Sequence, residues 1–127
     1  MTRTLTLLAA LLGVAAAAGA CMAASSSPVD EAFGNTVVST YPDGRTAELW
    51  LAPDGSYTGQ GRRHDPSSGH WQVKGAKLCL KQSSPMAVPF SFCTPLPSSG
   101  FGAPWVGKAP TGEVTQIKLV HGRVAGG

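Results

Sequence analysis

Two short segments whose side chains alternate in the same phase, each carrying one cysteine, restrict this chain more than any other feature. In Ala76–Gln82 the apolar Leu78 and Leu80 alternate with Lys77, Cys79 and Lys81. One face therefore looks inward and Cys79 sits on the other. In Pro89–Thr94 the pattern recurs, with Phe90 and Phe92 on one face and Ser91 and Cys93 on the opposite one. Placing Cys79 opposite Cys93 in an antiparallel pair sets Leu80 against Phe92 and Lys81 against Ser91. That register gathers both apolar sets on one side, as a half-buried hairpin requires. A disulfide there closes a loop of about 15 residues and contributes about 3 kcal/mol in the chain-entropy model. The alternative is two unpaired cysteines.

A ladder of short strands precedes the clamp. Thr36–Tyr41 is rich in β-branched residues, and Arg45–Ala52 and Ser56–Arg62 follow it. They are separated by Pro42-Asp43-Gly44 and Pro53-Asp54-Gly55, where proline presets the first central angle and glycine accepts a positive φ. The two turns lie 11 residues apart, the spacing of a meander. His64–Gly69 reads as a loop, and Gly69–Lys74 as a strand with Trp71 and Val73 on one face. Lys74-Gly75 then turns into the Cys79 strand. Beyond Cys93 the run TPLPSSGFGAPWVGKAPTG is dense in Pro and Gly, a loop with a short extended piece at Trp105-Val106. Glu113–His121 alternates as a last strand, with Ile117 and Leu119 inward. Six or seven strands with tight turns and little helix predict an all-β antiparallel meander over residues 35–123, closing into a barrel or a sandwich, with a tail at 124–127.

The chain begins with Met1-Thr2-Arg3 and an uncharged Leu/Ala run from Leu5 to Ala20, the composition of a secretory signal peptide over residues 1–20. The run is too short for a confident membrane span. Export to the periplasm or cell envelope is expected, and with it an oxidising compartment. The third cysteine makes the count odd. Cys21 follows Ala18-Gly19-Ala20, where a bacterial lipoprotein carries its acylated cysteine, although Ala18 stands where that motif usually has Leu. Cys21 is thus a candidate lipidation site; the other reading is plain cleavage after Ala20 or at Ala24. Residues 21–34 read as a flexible linker, with one helical turn at Pro28–Phe33 capped by Ser27. Removing residues 1–20 of 127 leaves 107, enough for one small domain. Removing Arg3 with them leaves 9 of the 10 basic residues against 7 acidic ones. They are scattered, the densest run being Arg62-Arg63-His64, and nothing points to nucleic acid.

Chemistry has few places to reside. Arg45–Ala52 is apolar on both faces, Leu49 and Leu51 on one and Trp50 on the other. A tight Pro53-Asp54-Gly55 hairpin would set Trp50 opposite Tyr57, an aromatic pair that is either a small binding face or a stiffener of the sheet. His64, Asp65 and His70 are close in sequence and His121 is a further candidate neighbour, but no H-x-x-x-H or C-x-x-C spacing is present, so no metal or other cofactor is expected. None of the serine pairs sits in a nucleophile elbow. Carboxylates for acid–base work would have to come from Asp43, Glu48, Asp54 and Asp65, two of them turn residues. The residues therefore argue against an enzyme and for an envelope module that binds a protein or a small ligand, with any membrane attachment running through Cys21.

Asn35-Thr36-Val37-Val38, YPDGR…LWLAPDGSY, GHWQVKGAKLCL…FC and KLVHGR together resemble a group of small exported proteobacterial proteins of uncharacterised function. These share the pattern P-D-G-x-Y…G-x-W-x-V-x-G-x-x-L-C…C, and the resemblance covers Gly34 to Arg123. A weaker likeness is to the small exported β-barrel inhibitors of bacterial metalloproteases, which carry a Trp-x-Val/Leu-x-Gly…Cys-Leu segment and one disulfide. In those inhibitors the first cysteine precedes the Trp strand, whereas here Cys79 and Cys93 both follow Trp71. That likeness implies an N-terminal tail that enters a protease cleft, a part that Cys21–Asp30 would play.

Overall fold

The first six strands of this chain each turn back on the one before, and the sheet curls until the last strand pairs with the first. The computed structural model describes residues 28–124. Eight strands follow a short 3-10 turn at Asp30–Ala32: β1 (Thr36–Thr40), β2 (Thr46–Leu51), β3 (Ser56–Gln60), β4 (Pro66–Lys74), β5 (Lys77–Ser84), β6 (Phe92–Pro95), β7 (Trp105–Lys108) and β8 (Val114–Val120). All pairings are antiparallel, in the order β6-β5-β4-β3-β2-β1-β8-β7. The β1–β8 pairing bends the meander round on itself, and β6 and β7 approach across the remaining seam without a hydrogen-bonded ladder. The molecule is thus an all-β, nearly closed barrel rather than a sandwich.

The turns explain why the ladder is so regular. Tyr41 N donates to Arg45 O and Gly44 N to Tyr41 O, enclosing Pro42-Asp43-Gly44. The same pair of bonds recurs at Ala52–Ser56, Gly61–Asp65 and Ala109–Glu113. Each is a three-residue loop ending on a residue with positive φ, a type I turn with a glycine-type bulge. Gly44, Gly55 and Gly112 supply that residue in three of them, and His64 takes φ 64° in the fourth. The expected loop at His64–Gly69 is thereby corrected. The turn lies at Gly61–Asp65, and β4 begins at Pro66 opposite Gln60, since proline is tolerated at the first residue of a strand.

The cysteine clamp forms as its alternation predicts. Cys79 pairs with Cys93 and Leu80 with Phe92, and the two cysteines are disulfide-bonded. The ladder ends there, so Lys81 and Ser91 are not paired, and Phe90 lies beyond the strand. Inside the barrel, Val37, Leu51, Tyr57, Leu78, Phe101 and Ile117 form the buried core. Tyr57 lies across from Gly69, where β4 bulges against β5. A Cβ at Gly69 would fall 2.9 Å from the Tyr57 ring and 2.0 Å from Lys81 O. Only glycine lets the strands approach so closely beneath an aromatic ring.

The N-terminal segment corrects the expectation of a flexible linker up to residue 34. Val29 and Ala32 are both 0% exposed, and Phe33 packs 5.7 Å from Trp71. Val29, Ala32 and Phe33 share one face of the turn, and burying it at the end of the barrel offsets the entropy of ordering the segment. The expected helical turn is reduced to Asp30–Ala32 with Val29 at its cap and no side-chain capping bond. Ser27, Cys21 and the apolar leader lie outside the described residues. At the other terminus Val124 N donates to Thr36 Oγ1, so the last described residue is docked on the barrel wall. Among the described residues no helix is long and apolar enough to cross a membrane.

Candidate functional site

The hairpin between β2 and β3 decides the fate of the proposed aromatic face. Its closing pair is Ala52 and Ser56, so Trp50 stands opposite Thr58, and Tyr57 opposite Leu51. The bulge residue Gly55 shifts the register by one, and a one-residue shift sends a side chain to the other face of the sheet. Tyr57 is inside the barrel at 6% exposure. Trp50 is outside, and the two make no pair.

Trp50 is instead committed to the chain's own C-terminus. Its indole Nε1 donates to Thr36 Oγ1 at 2.9 Å, and the Arg123 guanidinium sits 4.2 Å over its ring. The Thr36 hydroxyl donates to Gly122 O and accepts from Val124 N as well. One donor and two acceptor sites are thus all used. This outer face is a strap holding the C-terminal segment, with Asn35 Oδ1 accepting from Gly122 N.

The remaining residues weighed for chemistry are dispersed. His64 lies at one end of the barrel beside Gln60, while His121 follows β8 at the opposite end. The two are therefore not neighbours. His70 is exposed on β4. Glu48 is buried at 4% exposure on the same strand face as Thr46, whose hydroxyl donates to its carboxylate. Asp54 accepts from Ser56 N and Oγ within its turn, and those hydrogen bonds hold its carboxyl below the usual range. Among the described residues no group of three or more His, Cys, Asp or Glu converges.

What converges instead is the inside of the barrel. A cavity of about 430 Å³ runs between the strands, walled by Val37, Leu49, Leu78, Phe92, Trp105 and Ile117, among others. Strand alternation directs Ser39, Ser67, Thr94 and Thr115 to the same space, and Glu48 and Lys108 are the charged residues that also border it. Phe101, from the β6–β7 connection, packs edge-on against Trp105 at 5.2 Å and covers part of the floor. That end is shut by the Val29–Ala32 plug and by Trp71, whose indole donates to Ala52 O.

The other end is a mouth, bordered by Tyr41, Gln60, Gln82, Val88, Phe90 and Pro110. Arg62 is drawn across part of it. Its guanidinium bonds Glu113 at 2.7 Å, lies 3.8 Å from Asp43 and stacks 4.5 Å over the Tyr41 ring. The hydrogen bond from Arg62 holds the Glu113 carboxyl below its ordinary range. Burial raises the Tyr41 hydroxyl, with Arg62 partly opposing it, and burial alone raises Tyr57. The cavity was not visible in the sequence, because β-strand alternation marks inward positions but not whether side chains fill the space they enclose.

No protein-family model, curated protein or solved structure matches this chain.

Proposed function

We propose that this protein is a non-enzymatic, exported binding module that holds one small apolar molecule inside its barrel. The observation that carries the reading is the mainly apolar cavity of about 430 Å³, plugged at one end by Val29 and Ala32. An eight-stranded barrel has an interior just large enough either to be filled by side chains or to take one small ligand. An apolar cavity of about 150 Å³ accommodates benzene. The space here suits a molecule of roughly 12–18 non-hydrogen atoms by the same scale. Aliphatic and aromatic walls with a few hydroxyls fit an apolar body bearing a single hydrogen-bonding group. Export rests on the leader at residues 1–20 and is supported by the disulfide, a bond that persists in oxidising compartments. Acylation at Cys21 would hold the module at the envelope.

The inhibitor reading needs Cys21–Asp30 to be available to a protease cleft. Val29 is buried in the plug and Asp30 begins the 3-10 turn, so the geometry favours the cavity.

The test is a titration with the uncharged fluorophore N-phenylnaphthylamine, following energy transfer from tryptophan. Wild type should bind it saturably at one site, with Trp105 quenched. Ala47→Phe, which fills the cavity, should weaken binding at least tenfold while keeping the melting temperature within a few degrees. Absence of binding, or equal binding by Ala47→Phe, would overturn the reading.

A further inference from the structure

The apolar lining of the cavity does not stop at the mouth. Phe90 borders the cavity yet is 68% exposed, and Met86, on the same β5–β6 connection, is 70% exposed. Val88 lies between them on the cavity wall, its N–H donating to Gln82 O, which folds the connection back over the end of β5. An apolar patch left in solvent and continuous with a binding cavity marks an interaction surface. Here Met86 and Phe90 form a lip that continues the interior surface outward.

The same end of the barrel is basic. Across the mouth from the lip, Arg45, Arg62, Arg63 and His64 line a shallow notch, and Lys108 ends β7 close to the lip. The carboxylates at this end are Asp43, Asp65 and Glu113. Arg62 engages Glu113 and Asp43, and Arg45 also approaches Asp43. That leaves Arg63 and Lys108 against Asp65, an excess of one positive charge at the mouth end.

We infer that the mouth end docks on an anionic lipid surface, with Met86 and Phe90 entering the acyl boundary and Arg63 and Lys108 meeting the headgroups. The inference rests on the reading of the barrel as a container for an apolar molecule. Such a molecule has little solubility in water, and a lip continuous with the cavity lets it pass from the bilayer into the barrel without crossing solvent. Apolar side chains flanked by cations are the composition that binds a bilayer interface, and each cation near an anionic surface adds to the attraction.

The experiment is vesicle flotation of the form beginning at residue 21 and carrying Cys21→Ser, so that neither leader nor acyl anchor contributes. Vesicles of phosphatidylcholine alone are compared with vesicles that include phosphatidylglycerol. Wild type should float with the anionic vesicles only. Met86→Ser and Arg63→Glu should each reduce flotation at least fivefold while taking up N-phenylnaphthylamine from water as wild type does. If wild type stays unbound, or both variants float equally well, the lipid surface is overturned while the cavity reading stands on its own titration. If wild type sediments as a dimer that Met86→Ser dissociates, without vesicle binding, a second copy covers the lip and the inference is equally overturned. Loss of fluorophore uptake in wild type would instead sink the cavity reading itself.

Discussion

The two ends of this barrel are built from the same strands and turns, yet they have opposite surfaces. At the closed end the chain uses apolar side chains against itself: Val29, Ala32 and Phe33 seal the opening beside Trp71 and Phe101. At the mouth, apolar residues of the same kind, Met86 and Phe90, are left in solvent, and the crossing is made by Arg62, Asp43 and Glu113. A plug of buried side chains is fixed by the hydrophobic effect and by packing. A partly solvated ion pair at the rim is weaker and more readily exchanged. The difference assigns stability to one end and access to the other.

Charging the plug should have the largest effect. Ala32→Asp would bury an unpaired carboxylate at a fully buried position, costing on the order of 3–5 kcal/mol. A melting temperature lowered by about 10 °C or more in thermal denaturation at neutral pH is the expected result. A change of only a degree or two would mean that the segment is not a plug. Next comes the seam side of the barrel, where β6 is hydrogen-bonded to β5 alone and tied to it by the disulfide. Cys79→Ser with Cys93→Ser should lower stability by about 2–4 kcal/mol in urea unfolding, and reductant should lower wild type to the same midpoint. The C-terminal strap is a smaller effect. Arg123→Ala removes a cation–π contact worth about 0.5–1 kcal/mol, and its clearer sign should be stronger acrylamide quenching of Trp50, resolved in a Trp71→Phe, Trp105→Phe background.

The mouth should give the smallest stability effect. Glu113 has its folded pKa depressed by Arg62. Its contribution is therefore complete above the ordinary glutamate value of about 4.3 and is lost as the pH falls through the depressed folded value. Glu113→Gln should thus lower the melting temperature slightly at pH 7, and the difference from wild type should close as the pH falls through the depressed folded value. A difference that grows in acid would show that the Arg62–Glu113 bond is not the source. The same substitution should speed entry of N-phenylnaphthylamine in stopped flow at pH 7, because the bridge spans part of the opening.

Much of the scaffold was legible because it depends on local chemistry. The in-phase alternation of Leu78, Leu80 and Phe92 fixes the Cys79–Cys93 register, and Pro-Asp-Gly encodes two of the four equivalent turns. Ala109-Pro110-Thr111-Gly112 carries the same proline and glycine placement, a signal present but obscured by its Pro/Gly-rich surroundings. The Gly61–Asp65 turn had no such signal, since His64 occupies the left-handed position that the other three give to glycine. The Trp50–Tyr57 pairing failed for a related reason: a bulge adds one residue to one strand, and nothing in the alternation reports it. Burial of Val29 and Ala32 was hidden because a three-residue turn has too short a period to read. The cavity and its lip are properties of closure, which depends on how β8 meets β1 and not on any one segment.

On the proposed function, the interior, and not the outer face, receives an apolar molecule. Methyl-resolved NMR tests it most directly, with a medium-chain aliphatic alcohol titrated against labelled protein. The claim predicts that the cavity methyls of Val37, Leu49, Leu78 and Ile117 shift together along one saturable curve, while those of Val106 and Val114 on the outside remain still. Movement confined to the outer methyls, or no saturable change in the inner four, would contradict it.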